Sequence, residues 1–580
     1  MMKQILRKAC LVLLGGILMS TSAWAQNTTT VGAEDNTTGW WGAHSGLNTI
    51  AANQALHMEF LNYSSKVNNY NNWVLVLTNG TYLGDDGYTE YVVLRSDNFG
   101  WGSKFESGTR VHYRTTPIPG FDDLTDDNAK VELYWQTFRE EMDGATVSVD
   151  IYRKGTKLIV RSLATATNGA QWVEEFVAEN FVEETQLVGA FFTVDNCHLV
   201  INNDATSIKT LIGQADNTSA FWGDRSADFV IEPNKTVTLE FDNYSDKLAN
   251  FHNWLVVVTN DVNAGADGYQ EYIVLRADNY GWQGALNTNP NASSTDWFYL
   301  LASNYTWDYD GQATGQKFRD EMNGSHVVMT IARGGNVTDI YADITASSGN
   351  KYFEHFVLPC GNDGNANLRA FLTLENAYLL LDESKTTVTD TKITGTITAS
   401  GYNSFSSYFP LNLTGIKAYK ITGVDNANKV VMSEVTGSVP AQTGLLLEGT
   451  AGADFTLLPT SAATTAPAGN LLVALPNGGQ VAKAESGTNY VFGWEDASKP
   501  GFFRVNDVLP TLGAGKAYLH VPAAEAPFLS IDLGGETTGV KSLTPTLSQE
   551  EGAYYTLDGR RVSQPTKGLY IVNGKKVMVK

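Results

Sequence analysis

Two stretches of the chain, 181 residues apart, carry the same side chains suited to gripping a polyhydroxyl ligand. The first holds Tyr88, Arg95, Asp97, Asn98 and Trp101; the second holds Tyr269, Arg276, Asp278, Asn279 and Trp282. A sugar offers a flat C–H face and a rim of hydroxyls. An aromatic ring covers the face, while carboxylate, amide and guanidinium groups bond the rim. Trp297 and Trp307 add rings in an Asn-, Ser- and Thr-rich stretch of the second copy that reads as a loop. Trp40 and Trp41, matched by Phe221 and Trp222, supply further rings. The plain alternative is structural. Arg95 and Asp97, two apart in a strand, share a face and would serve equally as an ion pair.

Other chemistry is poorly supported. No GxSxG elbow, HExxH helix, phosphate-binding loop or dinucleotide fingerprint occurs. The chain has 8 His, none at matched positions of the two stretches. Glu90 and Asp97 recur as Glu271 and Asp278, so a carboxylate pair for glycoside hydrolysis is conceivable. A catalytic role is nevertheless the weaker expectation, and no cofactor is expected. Asp86-Gly87-x-x-Glu90 and Asp267-Gly268-x-x-Glu271 place carboxylates around turns, and a structural calcium is the one metal to consider. Calcium wants six to eight oxygens, and these motifs offer few.

The elements that must hold these residues come from a long internal repeat. Asn72–Trp101 and Asn253–Trp282 align without a gap, and 18 of 30 positions are identical. The match extends from Trp41-Gly42 and Trp222-Gly223 to Ala190-Phe191 and Ala370-Phe371. The unit is therefore domain-sized, with copies over 26–205 and 206–385. Trp73–Thr78 and Tyr88–Arg95 are rich in β-branched and aromatic residues and end in turn formers, so they read as strands. Val147–Tyr152 and Leu158–Arg161 read as another pair around Lys154-Gly155. Trp73 and Trp254 read as core. A short helix is expected at Phe138–Met142, stopped by Gly144. Many short strands with one helical turn predict a mostly β protein built on two tandem jelly-roll-like β-sandwich domains.

The rest of the chain agrees. Its 580 residues exceed one domain, and it is 43% hydrophobic, so it folds. A net charge of −22 argues against nucleic acid and anionic membranes as partners. Residues 1–25 read as a cleaved signal peptide: a basic start (Lys3, Arg7, Lys8), an apolar Leu11–Met19 run and Ala23-Trp24-Ala25. No later segment is apolar enough to span a membrane. An exported chain keeps Cys197 and Cys360, so at most one disulfide could form. Residues 386–535 read as one or two further β modules, and 536–552 as a linker. Residues 553–580 read as strand–turn–strand, with Asp558-Gly559 and Asn573-Gly574 as hairpin turns.

These motifs carry two resemblances. Asn-Trp-x-x-Val-x-Thr-Asn, Asp-Gly-Tyr-x-Glu-Tyr and Asp-Asn-x-Gly-Trp make the repeat resemble the carbohydrate-binding modules and lectin-like sandwiches of secreted glycan-degrading enzymes. Leu557-Asp558-Gly559-Arg560, Gly568-Leu569-Tyr570 and Lys575-Lys576-Val577 make the tail resemble the C-terminal sorting domains of exported Bacteroidetes proteins. Together they imply a secreted or cell-surface protein that binds a polysaccharide or glycoconjugate without catalysis. The alternatives are an adhesive or structural surface protein with protein partners, and a glycan-active hydrolase or lyase.

Overall fold

The computed structural model describes residues 27–65, 71–96, 109–245, 252–277, 279–282, 300–303, 320–359, 364–494, 499–523 and 525–531, and four tail strands. Contacts divide the chain between Ser530 and Ile531. The chain is mostly β, in several separate sheets.

Repeat 1 is a two-sheet sandwich. Its strands are β1 (Thr28–Val31), β2 (Asn48–Ile50), β3 (Gln54–Ser64), β4 (Trp73–Thr78), β5 (Glu90–Arg95), β6 (Thr109–Arg114), β7 (Ala145–Lys154), β8 (Lys157–Thr165), β9 (Gln171–Ala178), β10 (Val188–Val194) and β11 (Cys197–Ile212). The small sheet runs β2-β10-β4-β5, and the large one runs β11-β3-β7-β8-β9-β6. Between them lies a core that includes Phe60, Trp73, Leu75, Phe138, Trp172 and Phe192. The expected core position of Trp73 and Trp254 is what is found, at 3% and 1% exposure.

Repeat 2 repeats this order. Its strands are β12 (Phe229–Ile231), β13 (Lys235–Ser245), β14 (Asn253–Asn260), β15 (Glu271–Arg276), β16 (Asn279–Trp282), β17 (Leu300–Ser303), β18 (Ser325–Gly334), β19 (Val337–Thr345), β20 (Lys351–Pro359), β21 (Leu368–Glu375), β22 (Ala377–Leu381) and β23 (Thr387–Asp390). Its small sheet runs β12-β21-β14-β15-β16.

The two large sheets are one sheet. Strand β11 pairs with β3 of its own repeat, and its end pairs with β22 of the next, Thr210↔Leu381 to Ile212↔Leu379. The boundary expected at 205/206 therefore falls inside a strand. Ile208 sits opposite Leu56 of the first core, and Ile212, an even number of residues on, enters the second core. Side chains alternate along a strand, so both small sheets lie on the same face of the shared sheet. The other face at this seam buries Tyr152, Leu211, Tyr378 and Leu380. Lys209–Asp242 at 2.5 Å and Lys157–Asp216 at 2.9 Å brace it, with Lys154–Asp224 alongside.

Helix α1 (Asp127–Met142) is longer than the expected Phe138–Met142. Asp126 caps it by accepting from the Asn128 N–H. Only Phe138 and Met142 are buried, so just the last turn carries the apolar spacing that sequence reading detects.

Beyond repeat 2, Ile393–Thr396, Asp454–Pro459, Leu411–Asn412 and Ser438–Val439 form one sheet, and Tyr402–Phe405, Leu445–Glu448, Lys417–Val424 and Val430–Val435 another. A further sheet is built from Leu472–Leu475, Lys516–Val521, Thr488–Trp494, Pro500–Arg504 and Phe528–Ser530. Phe409 packs in one cluster with Val337 and Val357 of repeat 2, joining that repeat to the first of these C-terminal sheets. In the tail, Tyr554–Tyr555 pairs with Arg561–Val562 and Gly568–Val572, and the latter with Lys575–Val579, all antiparallel. Among the described residues no helix is long and apolar enough to cross a membrane.

Candidate functional site

Strands β4 and β10 are apolar on both faces. Inward residues fill the sandwich core. Outward residues Val74, Val76, Val93 and Phe191 form a second cluster outside the small sheet, under Trp41, Leu47, Leu83 and Tyr88. Repeat 2 does the same with Leu255, Val257, Val274 and Phe371 under Trp222. Burial on both faces explains the near-continuous hydrophobic text of these strands.

An arginine at the end of β5, and of β15 in repeat 2, carries a ring on this outer face. Arg95 is 4% exposed, pairs with Asp195 at 3.2 Å, and places its guanidinium 4.7 Å from the centre of the Trp40 ring. Arg276 pairs with Glu375 at 2.8 Å and lies 5.5 Å from the Phe221 ring. The rings so mounted are 37% and 41% exposed. A cation over an aromatic face adds attraction, and burial fixes the guanidinium. The arginines thus reach the surface through the rings they hold. One acid partner of Arg95 lies across the sheet at Asp195; the expected partner Asp97 lies outside the described residues.

The turn presenting these rings is strained. Gly42 N–H donates to Gly39 O at 2.9 Å, and Gly223 N–H to Ala220 O at 2.8 Å. The third residue of each turn is a tryptophan in the left-handed region, Trp41 at φ 62° and Trp222 at φ 59°. Glycine is the usual occupant of such a position. A bulky residue there costs roughly 1–2 kcal/mol. Both copies bear that cost and use the ring: Trp41 lies 6.1 Å from Phe191, and Trp222 lies 5.5 Å from Phe371.

The other expected site residues fall in several places. Tyr88 is half-buried on the outer cluster, and its hydroxyl donates to Glu90 at 3.1 Å. Burial and the Glu90 charge hold its phenol well above its ordinary pKa. Tyr269 is shifted the same way by burial and Glu271. Asp97, Asn98, Trp101, Asp278, Trp297 and Trp307 lie outside the described residues. Asn279 and Trp282 contribute backbone to β16, opposite Arg276 and Val274; their side chains also lie outside. Cys197 is buried at the start of β11, and Cys360 is outside the described residues. Among the described residues no group of three His, Cys, Asp or Glu is arranged to hold a metal.

Two residues present in one copy only, His44 and Tyr82, pack against the shared Phe191. Tyr82 Oη lies 2.8 Å from His44 Nδ1 and donates to Ser45 O at 3.1 Å. The His44, Tyr82 and Phe191 rings pack edge to face, 5.6–6.2 Å apart. His44 becomes Arg225 and Tyr82 becomes Asn263 in the second copy, so a search for shared residues discards them.

Repeat 1 also encloses a cavity of about 10 Å³ lined by Trp73, Ser96, His112, Ser162, Trp172 and Glu174 among others. That is room for one water, not a sugar ring. Burial pushes the His112 imidazole down to about 4. Tyr134 Oη lies 2.9 Å from its Nδ1, and Trp135 stacks on its ring. Nearby Glu141 is engaged by Arg114 at 2.8 Å, by Trp172 Nε1 at 2.7 Å and by Asn168 at 3.0 Å, a structural knot.

No family model matches the chain, and no curated protein does. One solved structure, the LG1-3 region of the laminin alpha2 chain, is similar over 84% of this chain and 93% of that one, at 8% identity and a TM-score of 0.15. So low a superposition carries no argument about what this chain binds.

Proposed function

We propose that the chain is an exported, non-catalytic glycan-binding protein whose sandwiches engage a polysaccharide or glycoconjugate through the aromatic outer face of the small sheet. The observation that carries this reading is the mounted tryptophan. Trp40 is 37% exposed, rests on a buried ion-paired arginine, and sits in a turn whose next residue, Trp41, accepts a left-handed backbone. A chain spends strain and a buried charge pair on a surface ring only where the ring's position matters. Rings held rigidly lose little entropy when a sugar stacks on them.

The surrounding features are consistent with that role. A net charge of −22 favours neutral ligands over sulfated or uronic ones. Both small sheets share one side of the large sheet, so two faces of one chain can meet the same polymer. Tyr88 and Tyr269 flank these faces. The basic, apolar and small-residue pattern of residues 1–25 supports export, and the tail motifs support display at the cell surface.

The test is a glycan array probed with the chain from residue 26 onward, with and without EDTA. Binding to neutral glycans that survives EDTA supports the reading. Binding abolished by EDTA would instead bring a calcium site into the mechanism. No retention on any glycan, at protein concentrations reaching the millimolar range, would remove the proposal.

A further inference from the structure

The two outer faces are built on the same scaffold but are chemically different. At five matched positions repeat 1 has Leu47, His44, Gly80, Tyr82 and Gly189, where repeat 2 has Asp228, Arg225, Asp261, Asn263 and Arg369. In repeat 2 these residues close on one another. Arg369 donates to Asp261 at 2.8 Å, to Asn263 at 2.5 Å and to Asp228 at 3.3 Å. Arg225 pairs with Asp228 at 2.7 Å, and its guanidinium lies 4.8 Å from the centre of the Phe371 ring. Two cations and two anions are thus neutralised within the face, over the ring that the first copy leaves among aromatics.

In repeat 1 the corresponding positions carry no charge, and the exposed Trp40 and His44 and half-buried Trp41 and Tyr82 surround a fully buried Phe191. Trp40 meets Trp41 at 5.7 Å, Trp41 meets Phe191 at 6.1 Å, and Phe191 meets His44 and Tyr82 at 6.2 Å. His44 is exposed, and one of its ring nitrogens is engaged by Tyr82. The other can donate to or accept from a hydroxyl.

We infer that the two repeats are unequal: the repeat 1 face is the glycan site of the pair, it takes a neutral pyranose, and His44 held by Tyr82 sets its specificity. This rests on the glycan-binding reading above. The pyranose C–H face lies on the ring surface, and a ring-edge hydroxyl bonds His44. The repeat 2 face keeps the mount but presents a salt-bridge lattice. A neutral sugar would have to displace those pairs, and it has no charge to offer in return. Five differences at matched positions, four of them closing into one ion-paired network in repeat 2, separate the two faces chemically.

The experiment is isothermal titration of the full chain with soluble β-glucan, xylan and galactomannan, repeated with Trp40→Ala and with His44→Ala. Both substitutions are at exposed positions, and circular dichroism and Tm verify the fold. The expected result is one class of site per chain for at least one polymer, with affinity down tenfold or more in Trp40→Ala and about fivefold in His44→Ala. His44→Ala should also change the ranking of the three polymers, which a purely structural role would not do. If either variant keeps sites of unaltered affinity at half or all of the original number, repeat 2 or another surface binds and the inference fails. If the unaltered chain binds none of the three but the array finds a charged ligand, the neutral-pyranose assignment fails while glycan binding stands. If neither assay finds binding, both fall.

Discussion

At the scale of single residues, the chain's unusual positions are arginines and histidines inside β structure and tryptophans in left-handed turns. Removing the cation from a buried pair costs roughly 3–5 kcal/mol. Arg95→Met should therefore lower unfolding stability by about that much, measured by urea denaturation, and also release Trp40 from its position. Trp41 carries a second expectation. Alanine normally outlasts glycine, yet at φ 62° the order should invert. Trp41→Gly should be more stable than Trp41→Ala by about 1 kcal/mol. Equal stabilities, or alanine ahead, would show that the turn relaxes. Two histidines titrate in opposite senses. Burial disfavours the His57 cation, but the Asp150 carboxylate at 2.7 Å and Glu59 at 3.2 Å outweigh it and raise its pKa from 6.5 to about 10. Folding then favours the protonated ring. Its contribution is complete below pH 6.5 and disappears as pH climbs through 10. Tm should fall from pH 7 to 10, and less steeply in His57→Gln. His112 is held neutral, down to about 4, so its share is lost as pH drops from 6.5 to 4. His112→Phe should flatten the acid side of the Tm profile, since Tyr134 keeps the backbone carbonyl of residue 112 as acceptor at 3.0 Å.

At the scale of elements, much is legible in the sequence and the exceptions have physical causes. Strands β4 and β5 stand out because β-branched and aromatic runs end at Asn-Gly and Asp-Gly. The hairpin at Lys154-Gly155 is equally clear, since Gly155 takes φ 57° and Lys154 pairs with Lys157. The helix start is hidden, because α1 gains its first turns from the Asp126 cap rather than from an apolar stripe. Asp126→Ala should cost roughly 0.5–2 kcal/mol. The mounting acids Asp195 and Glu375 are also hidden: they lie about a hundred residues from their arginines, and only strand pairing brings them close. Duplication points to Arg95 and Arg276 but cannot reveal His44 and Tyr82, which exist in one copy alone. The packing of repeat 2 on its successor is not legible either. It depends on Gly334, where an added Cβ would sit 2.4 Å from the Phe409 ring. Gly334→Val should cost roughly 1–3 kcal/mol through overpacking. It should also speed protease cleavage near residue 390 without disturbing repeat 1.

For the whole molecule, the decisive feature is the strand that belongs to two domains. Repetition suggests two beads on a string, whereas β11 makes them one sheet. The backbone amides of Ile212 and Leu381, whose ladder bonds cross between β11 and β22, should then exchange hydrogen as slowly as those of β3. Fast exchange there, with β3 protected, would mean that the repeats open apart. The same strand determines how the pair bears load. Antiparallel bonds run perpendicular to the strands. Tension that pulls the two repeats apart along β11 loads the bonds on both sides of that strand. The bonds that tie β11 to Gln54–Ser64 on one side and to Leu379–Leu381 on the other are therefore pulled sideways together and not peeled singly. Such a joint resists extension until its three paired residues, the Lys154–Asp224 ion pair and the buried cluster beside them yield together. The tandem should then resist stretching as one stiff unit, where two domains on a flexible tether would extend under little force.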